Sequence, residues 1–431
     1  MSDPRSDRGG SARGLLSAAS IYVLANIANA AIPFLLMPVL TRHLSPGEYG
    51  IVAMFQVLTG FVGPFVGLNV HGAIQRRYYD EESTDLPIYI ASCLAILACS
   101  AIVVGGALVL LGPWVSQLAS FPRSWLWAVL VVSVSQFLVH IRLVIWQAGV
   151  RPERYGLFQI AFTLANLGLS VWLVVGQGWG WEGRVVGLTG AYVVFGLGSI
   201  VGLASSGWIR WGVRRAYVAN ALRFGVPLIP HTFATYAITA TDKIFITNYI
   251  GVEETGVYLI AVQLASVLSI LAVSVNRAVT PWVYAQLGRE GGGEKVVRLV
   301  YASVPAAIAV ALLGSVLSPP FLSVYVGESF VRAGDFVPWL MLGQAFNAVY
   351  LIVVTLVFYA ERTQYLLWMT LTAAALNVAL NVPLTTAYGA NGASIATAVT
   401  FFAKMALTAW LASRVVDLPW SEPFRRWARK E

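Results

Sequence analysis

Twelve stretches, each about 20 residues or longer and nearly free of charge, constrain this chain more than any other feature. They run approximately over 15–41, 47–75, 86–112, 124–149, 155–177, 184–206, 222–250, 254–286, 296–317, 333–360, 364–387 and 390–414. A helix that crosses a bilayer needs about 20 mostly apolar residues, and inside that slab every backbone N–H and C=O must find a partner within the protein. The spacing therefore predicts an all-α integral membrane protein with twelve transmembrane helices. Composition agrees: 58% of the residues are hydrophobic and 11% charged, where soluble domains carry about 25% charged residues. The formal charge of +8 then reads as a positive-inside bias, not as the footprint of a nucleic-acid partner. Cys93 and Cys99 lie six apart in one apolar segment, which excludes a disulfide framework and a metal site.

The opening MSDPRSDRGGSARG (1–14) is polar and Gly/Ser-rich, the composition of a disordered segment. The apolar run behind it is too long for a signal-peptide core and lacks a small-residue cleavage site. Lys and Arg set the orientation. Twenty fall in one set of connections and four, Arg42, Arg123, Arg184 and Arg332, in the opposite set, which puts both termini in the cytoplasm. Trp114, Trp125, Trp127, Trp179, Trp181, Trp208, Trp211 and Trp339 fall near the predicted helix ends, at the level where indole rings favour the interface. The tail PWSEPFRRWARKE mixes aromatic and basic residues. It suits either the anionic inner leaflet or a solvated stop-transfer cluster.

The sequence repeats itself. RHLSPGEYGIVAMF (42–55) aligns with NYIGVEETGVYLIA (248–261) at an offset of 206; LANLGLSV (164–171) matches AALNVALN (374–381), with Asn166 set against Asn377 at 211; WEGRVVG (181–187) aligns with ANGASIA (390–396) at 209. Offsets near 210 imply duplication of a six-helix unit. Six is even, so both copies cross the membrane in the same sense, related by a pseudo-twofold axis along the membrane normal. The predicted organisation is a cytoplasmic N-terminus at 1–14, a six-helix bundle at 15–206, a linker at 207–221, a second six-helix bundle at 222–414 and a basic tail at 415–431.

The paired turns LTRHLSPGEYG and NYIGVEETGVY, the seventh segment TDKIFI and the YGANGASIAT before the last helix resemble those of the polysaccharide-biosynthesis flippases. These belong to the multidrug/oligosaccharidyl-lipid/polysaccharide exporter superfamily, and the resemblance runs over essentially all twelve helices. It implies a bacterial inner-membrane protein moving a polyprenyl-pyrophosphate-linked oligosaccharide outward for O-antigen, capsule or exopolysaccharide assembly. It also implies partners in that assembly, a polysaccharide polymerase and chain-length machinery.

Ionisable residues inside membrane helices usually mark a substrate or ion path. Arg142, Lys243, Arg277 and Lys404 are the bases inside the predicted helices, and Asp242 is the acid there. On insertion scales each costs about 2.5–3.5 kcal/mol at a helix centre. Four bases against one acid suit a cavity that accepts a pyrophosphate, through charge-assisted hydrogen bonds. His71 is the repeat mate of Arg277, at 206 positions, and joins this cationic set; an interfacial histidine and snorkelling arginines are the competing readings. Asp242 and Lys243 are neighbours pointing about 100° apart on a helix, so neither is the other's natural partner. Asp242 serves either ion coupling, by H⁺ or Na⁺, or a structural pair with a base. No other cofactor is expected.

Candidate glycan contacts are Asn26 and Asn29 on helix one, the repeat mates Gln136 and Asn347, and Asn377 and Asn381 on helix eleven; polar residues also bind membrane helices to one another. Pro33, Pro38, Pro227 and Pro230 lie in the first helix of each half and predict kinks there, either bending in alternating access or static. The rival readings are a drug or cation exporter, which needs cavity carboxylates that helix one lacks; a lipid II flippase; a major facilitator; and a membrane polymerase or glycosyltransferase. No phosphate loop, metal-spaced His/Cys set or nucleophile constellation supports an enzyme.

Overall fold

A computed structural model of the chain describes residues 32–80, 84–362 and 364–420. Among these residues there are helices and turns and no strand. The helices are α1 (Ile32–His43), α2 (Pro46–Val62), α3 (His71–Arg77), α4 (Leu86–Leu110), α5 (Gly112–Ala119), α6 (Leu126–Ala148), α7 (Pro152–Val171), α8 (Gly180–Ser205), α9 (Arg215–Gly225), α10 (Ile229–Tyr249), α11 (Val252–Leu287), α12 (Gly292–Tyr325), α13 (Val337–Tyr359), α14 (Gln364–Tyr388) and α15 (Ala390–Val415). Eight of the described helices, α4, α6, α7, α8, α11, α12, α13 and α15, are long and apolar enough to cross a membrane. The protein is thus an all-α, multi-pass membrane protein. Residues 1–31, with Asn26 and Asn29, and the last part of the tail lie outside the described residues.

Contacts gather the described residues into two units. The first holds 32–43, 55–117 and 121–230; the second holds 44–54, 118–120 and 231–420. The first is cored by Val66, Ile74, Ile90, Cys93 and Ile141 of the broken second segment, α4 and α6. The second has a core of Val296, Val353, Leu356, Val357 and Leu411 from α12, α13 and α15.

Two predicted segments are corrected. The run 47–75 is not one helix. α2 stops at Val62, a 3₁₀ turn covers Gly63–Phe65, and Gly67, Leu68 and Asn69 all take positive φ before α3 begins. The signal was present in GPFVGLN: Pro64 lacks an N–H, and a side chain at Gly67 would meet both a disfavoured φ of 76° and the Phe137 ring, 2.3 Å away. The Gly67 N–H freed by the break donates to Ser100 Oγ at 2.8 Å, as a non-helical backbone inside a membrane protein requires. The run 222–250 is also divided. α9 ends at Gly225, a 3₁₀ turn holds Pro227, and Pro230 sits in the first turn of α10. Prolines there start a helix, where a missing N–H costs little. Pro38 lies inside α1 as predicted.

The repeated turns pack on one another. α2 opens with a capping box: Ser45 N–H donates to Glu48 Oε2 at 2.9 Å and the Glu48 N–H returns to Ser45 Oγ at 3.3 Å. One turn later, a Cβ on Gly50 would lie 1.9 Å from the Val252 carbonyl oxygen, and a Cβ on Gly256 would lie 2.0 Å from the Pro46 carbonyl oxygen. The offset of 206 turns Gly50 into Gly256 and Pro46 into Val252, so the two contacts are exchanged by the repeat. A pair of contacts that swap in this way is the mark of a twofold axis between the two segments. Any side chain at either glycine pushes the helix ends apart. Gly50→Ala and Gly256→Ala should each cost about 1–3 kcal/mol, and the double variant should cost less than their sum, because the first Cβ already opens the contact. Chemical unfolding of the purified chain in detergent reads both.

Candidate functional site

The polar centre of the second unit is built around Asp242 on α10, 2% exposed. Its Oδ2 accepts from Tyr258 of α11 at 2.8 Å and from Thr397 of α15 at 2.6 Å. Its Oδ1 accepts from Asn381 Nδ2 of α14 at 3.2 Å. Asn381 also donates to the Asn377 carbonyl at 2.9 Å, and Asn377 reaches Thr400 Oγ1 at 3.4 Å. Three of the residues singled out in the sequence, Asp242, Asn377 and Asn381, therefore meet in one network. Tyr258 and Thr397 complete it, and sequence reasoning passed over both; in the run IATAV of α15, Thr397 is only a small hydroxyl among many.

Lys243 does not pair with its neighbour. Its Nζ donates to the Thr239 carbonyl of its own helix at 2.8 Å, and among the described residues no salt bridge forms on Asp242. Burial of both charges side by side is tolerated because each has separate hydrogen-bonding partners. Lys404 on α15 is half-buried, with its ammonium 3.8 Å from the ring centre of Tyr350. Arg277 is exposed on α11, and Asn347 is half-buried on α13. Among the described residues, no hydrogen bond joins Lys243, Arg277 and Lys404 to one another, and the partners of Lys243 and Lys404 lie elsewhere.

In the first unit, Arg142 on α6 is half-buried and stacks over Trp146 of the same helix, 4.3 Å from the ring centre. His71 opens α3, 5.3 Å ring to ring from His140 and edge-on to Phe137; its Nδ1 is buried without a hydrogen-bond partner. Gln136 lies against the Tyr192 hydroxyl.

Arg184 is a correction. The sequence placed it in an outer connection, but α8 begins at Gly180 and buries Arg184 to 6% exposure. Its Nη1 donates to Asn166 Oδ1 at 2.7 Å and Ser170 Oγ at 2.6 Å, both on α7. The helices can come this close because Gly187 faces Ser170, where a Cβ would stand 2.8 Å from its backbone. The repeat offset of 211 equates Asn166 with Asn377 and Ser170 with Asn381. Matched polar positions thus surround a guanidinium in one unit and a carboxylate in the other. Aligning Asn166 with Asn377 pointed to this spot, but a count of basic residues by connection hid its occupant.

Comparison with known proteins fits this architecture. Residues 15–285 match the family described as polysaccharide biosynthesis protein, and the chain belongs to that family. An uncharacterized membrane protein of Haemophilus influenzae is 23% identical over 81% of this chain and 85% of its own length. The succinoglycan biosynthesis transport protein ExoT of Rhizobium meliloti is 22% identical over 74% of this chain and 63% of its own. Among solved structures, the lipid II flippase MurJ in an inward closed conformation superposes with a TM-score of 0.71 at 12% identity, covering 93% of this chain and 87% of that one. The multidrug transporter DinF-BH gives a TM-score of 0.66 at 14% identity, covering 96% and 98%. The fold is that of the MurJ and multidrug exporter group.

Each polar centre should hold its unit together. Tyr258→Phe and Thr397→Val each remove a donor to a buried carboxylate and should cost about 1.5–3 kcal/mol, with Arg184→Met in the same range. Asn166→Ala should add little in the Arg184→Met background, since the two share one interaction. Thermal unfolding in detergent measures these differences.

Proposed function

We propose that this chain is a flippase that carries a polyprenyl-pyrophosphate-linked oligosaccharide from the cytoplasmic to the outer leaflet of the bacterial inner membrane, by alternating access and with both termini cytoplasmic. The observation that carries the reading is the state of two cations. Arg142 and Lys404 stand on aromatic faces inside membrane helices, and among the described residues neither has a carboxylate partner. An aromatic ring holds a cation without neutralising it, so the charge stays available to phosphate oxygens. A pyrophosphate moved past apolar walls needs such groups to offset its desolvation. The family membership favours a glycan lipid over a drug. The one buried carboxylate among the proposed site residues, Asp242, is already filled by three donors, which leaves it poorly suited to attract a cationic drug.

Asp242 is the candidate for ion coupling by H⁺ or Na⁺. Hydroxyl and amide donors surround it, and these can turn their oxygens toward a bound cation when the carboxylate exchanges partners. The glycine contact between Gly50 and Gly256 supplies the candidate moving closure, since a contact with no side chains interlocked opens at small cost.

Liposomes holding the purified chain test the reading. A labelled polyprenyl-pyrophosphate oligosaccharide should reach the opposite leaflet with its mass unchanged, whereas a polymerase or glycosyltransferase would alter the mass. Arg142→Ala and Lys404→Ala should each slow the transfer about tenfold. Full activity in both variants would overturn the cation assignment. Asp242→Asn should keep the fold and lose dependence on the ion gradient; an unchanged dependence would remove the coupling role. In a chain with Cys93 and Cys99 replaced by Ala, Gly47→Cys with Glu253→Cys places two thiols where a Gly47 Cβ would lie 3.4 Å from Glu253 Cγ. Oxidation should arrest transfer and reduction restore it.

A further inference from the structure

The segment that follows α8 is more than a connection: several hydrogen bonds fasten it to α3 and α4 of its own unit. The Arg214 N–H donates to Ser92 Oγ at 3.3 Å, and the Asp85 N–H donates to the Tyr217 hydroxyl at 3.0 Å. Asn220 Oδ1 accepts from Tyr89 at 3.0 Å and from Arg77 Nε at 3.2 Å. Tyr217 and Asn220, three apart, therefore face the unit along one side of α9. A different side of α9 carries Val218 and Leu222, half-buried at the margin of the core of the first unit.

That side lines a cavity of about 540 Å³ whose walls are almost wholly apolar. Phe65 and Leu68 of the break in the second segment form one wall, and Cys99 and Val104 of α4 form another. The cavity borders the break between α2 and α3, through Phe65 and Leu68. Apolar walls of this kind, open on the side of Phe65, Cys99 and Val103, suit a hydrocarbon chain and offer nothing to a sugar or a phosphate.

Charge collects at one end of the cavity. Arg215, Val218 and Leu222 lie at i, i+3 and i+7, so Arg215 stands one turn beyond the lining residues on the same stripe. Arg215 and Arg223 are exposed and have no carboxylate partner among the described residues. Arg214 is also exposed, with Tyr217 as its contact. Among the described residues nearby, Asp85 is engaged with Arg210 and Asp80 with Arg77. Trp211, 83% exposed, lies beside the arginines in WIRWGVRR, and indole rings of this exposure sit at the headgroup level.

We propose that the first unit binds an anionic phospholipid, with one acyl chain in this cavity and its phosphate on Arg214 and Arg215. An apolar slot opening beside unpaired guanidinium groups matches both parts of such a lipid. Arg presents paired donors to phosphate oxygens, and a basic helix at the bilayer surface gains affinity from both the buried chain and the anionic headgroup. A bulk membrane lipid meets this surface at far higher concentration than any glycan-carrying lipid, and occupancy follows concentration. The bound lipid would act as a wedge that keeps the break at 66–70 from straightening.

Native mass spectrometry of the full chain in detergent, with equal amounts of phosphatidylglycerol and phosphatidylcholine, tests the site. The chain should retain phosphatidylglycerol in preference. Arg214→Gln and Arg215→Gln, both on exposed side chains, should each weaken that retention about fivefold and leave phosphatidylcholine unchanged. Cys99→Trp fills the cavity from an exposed position and should lower retention of both lipids, with an unchanged melting temperature as the control for folding. Equal retention of the two lipids by the native chain, or full retention of phosphatidylglycerol by Cys99→Trp, overturns the proposal. Displacement of the lipid by soluble glycerol phosphate overturns the acyl-chain part. A preference for polyprenyl phosphate over phosphatidylglycerol makes the substrate's tail the occupant and overturns the choice of a bulk lipid.

Discussion

A carboxylate out of contact with water must be satisfied by the protein around it, and in the second unit that demand organises four helices. Asp242 on α10 takes donors from α11, α14 and α15, one from each. A charge left bare at that depth would cost several kcal/mol, so the helices that carry Tyr258, Asn381 and Thr397 are fixed in rotation as well as in place. The apolar residues of membrane helices pack against lipid tails nearly as well as against one another. Polar groups with few acceptable partners therefore decide which helix faces which.

The first unit meets the same demand with the opposite sign. Asn166 and Ser170 take the positions of Asn377 and Asn381, and the charge they surround is the guanidinium of Arg184. A side-chain cation cannot leave, whereas a carboxylate ringed by hydroxyl and amide groups has the ligands of an exchangeable site. Positions matched by the sequence offset thus share polar side chains and differ in the charge those side chains hold. Segments that look equivalent in sequence order are not equivalent chemically.

The class of the fold was legible because membrane spanning leaves so coarse a mark: long apolar runs nearly free of charge. The join between Asp242, Asn377 and Asn381 was partly legible too, since charged and amide residues are rare enough in such runs to be noticed. What escaped was local. The break at 63–70 is written in GPFVGLN, yet apolar neighbours on both sides disguised it as continuous helix. Arg184 was misplaced because hydropathy blurs a helix end by several residues, and four residues decide whether an arginine is outside or buried. Thr397 left no mark, as a threonine hydroxyl in a membrane helix is commonly bound to its own backbone, as Thr408 is to Lys404, and Tyr258 reads as one more aromatic ring among many. Which hydroxyl turns outward depends on a partner far along the chain.

The paired approach of Gly50 to Val252 and Gly256 to Pro46 carries a consequence for how this surface can vary. A surface that matches itself on rotation is what two identical polypeptides need to associate. Here both faces lie on one chain, so the room for a side chain on either segment is set by the backbone of the other, and neither glycine can be exchanged without displacing its counterpart's helix.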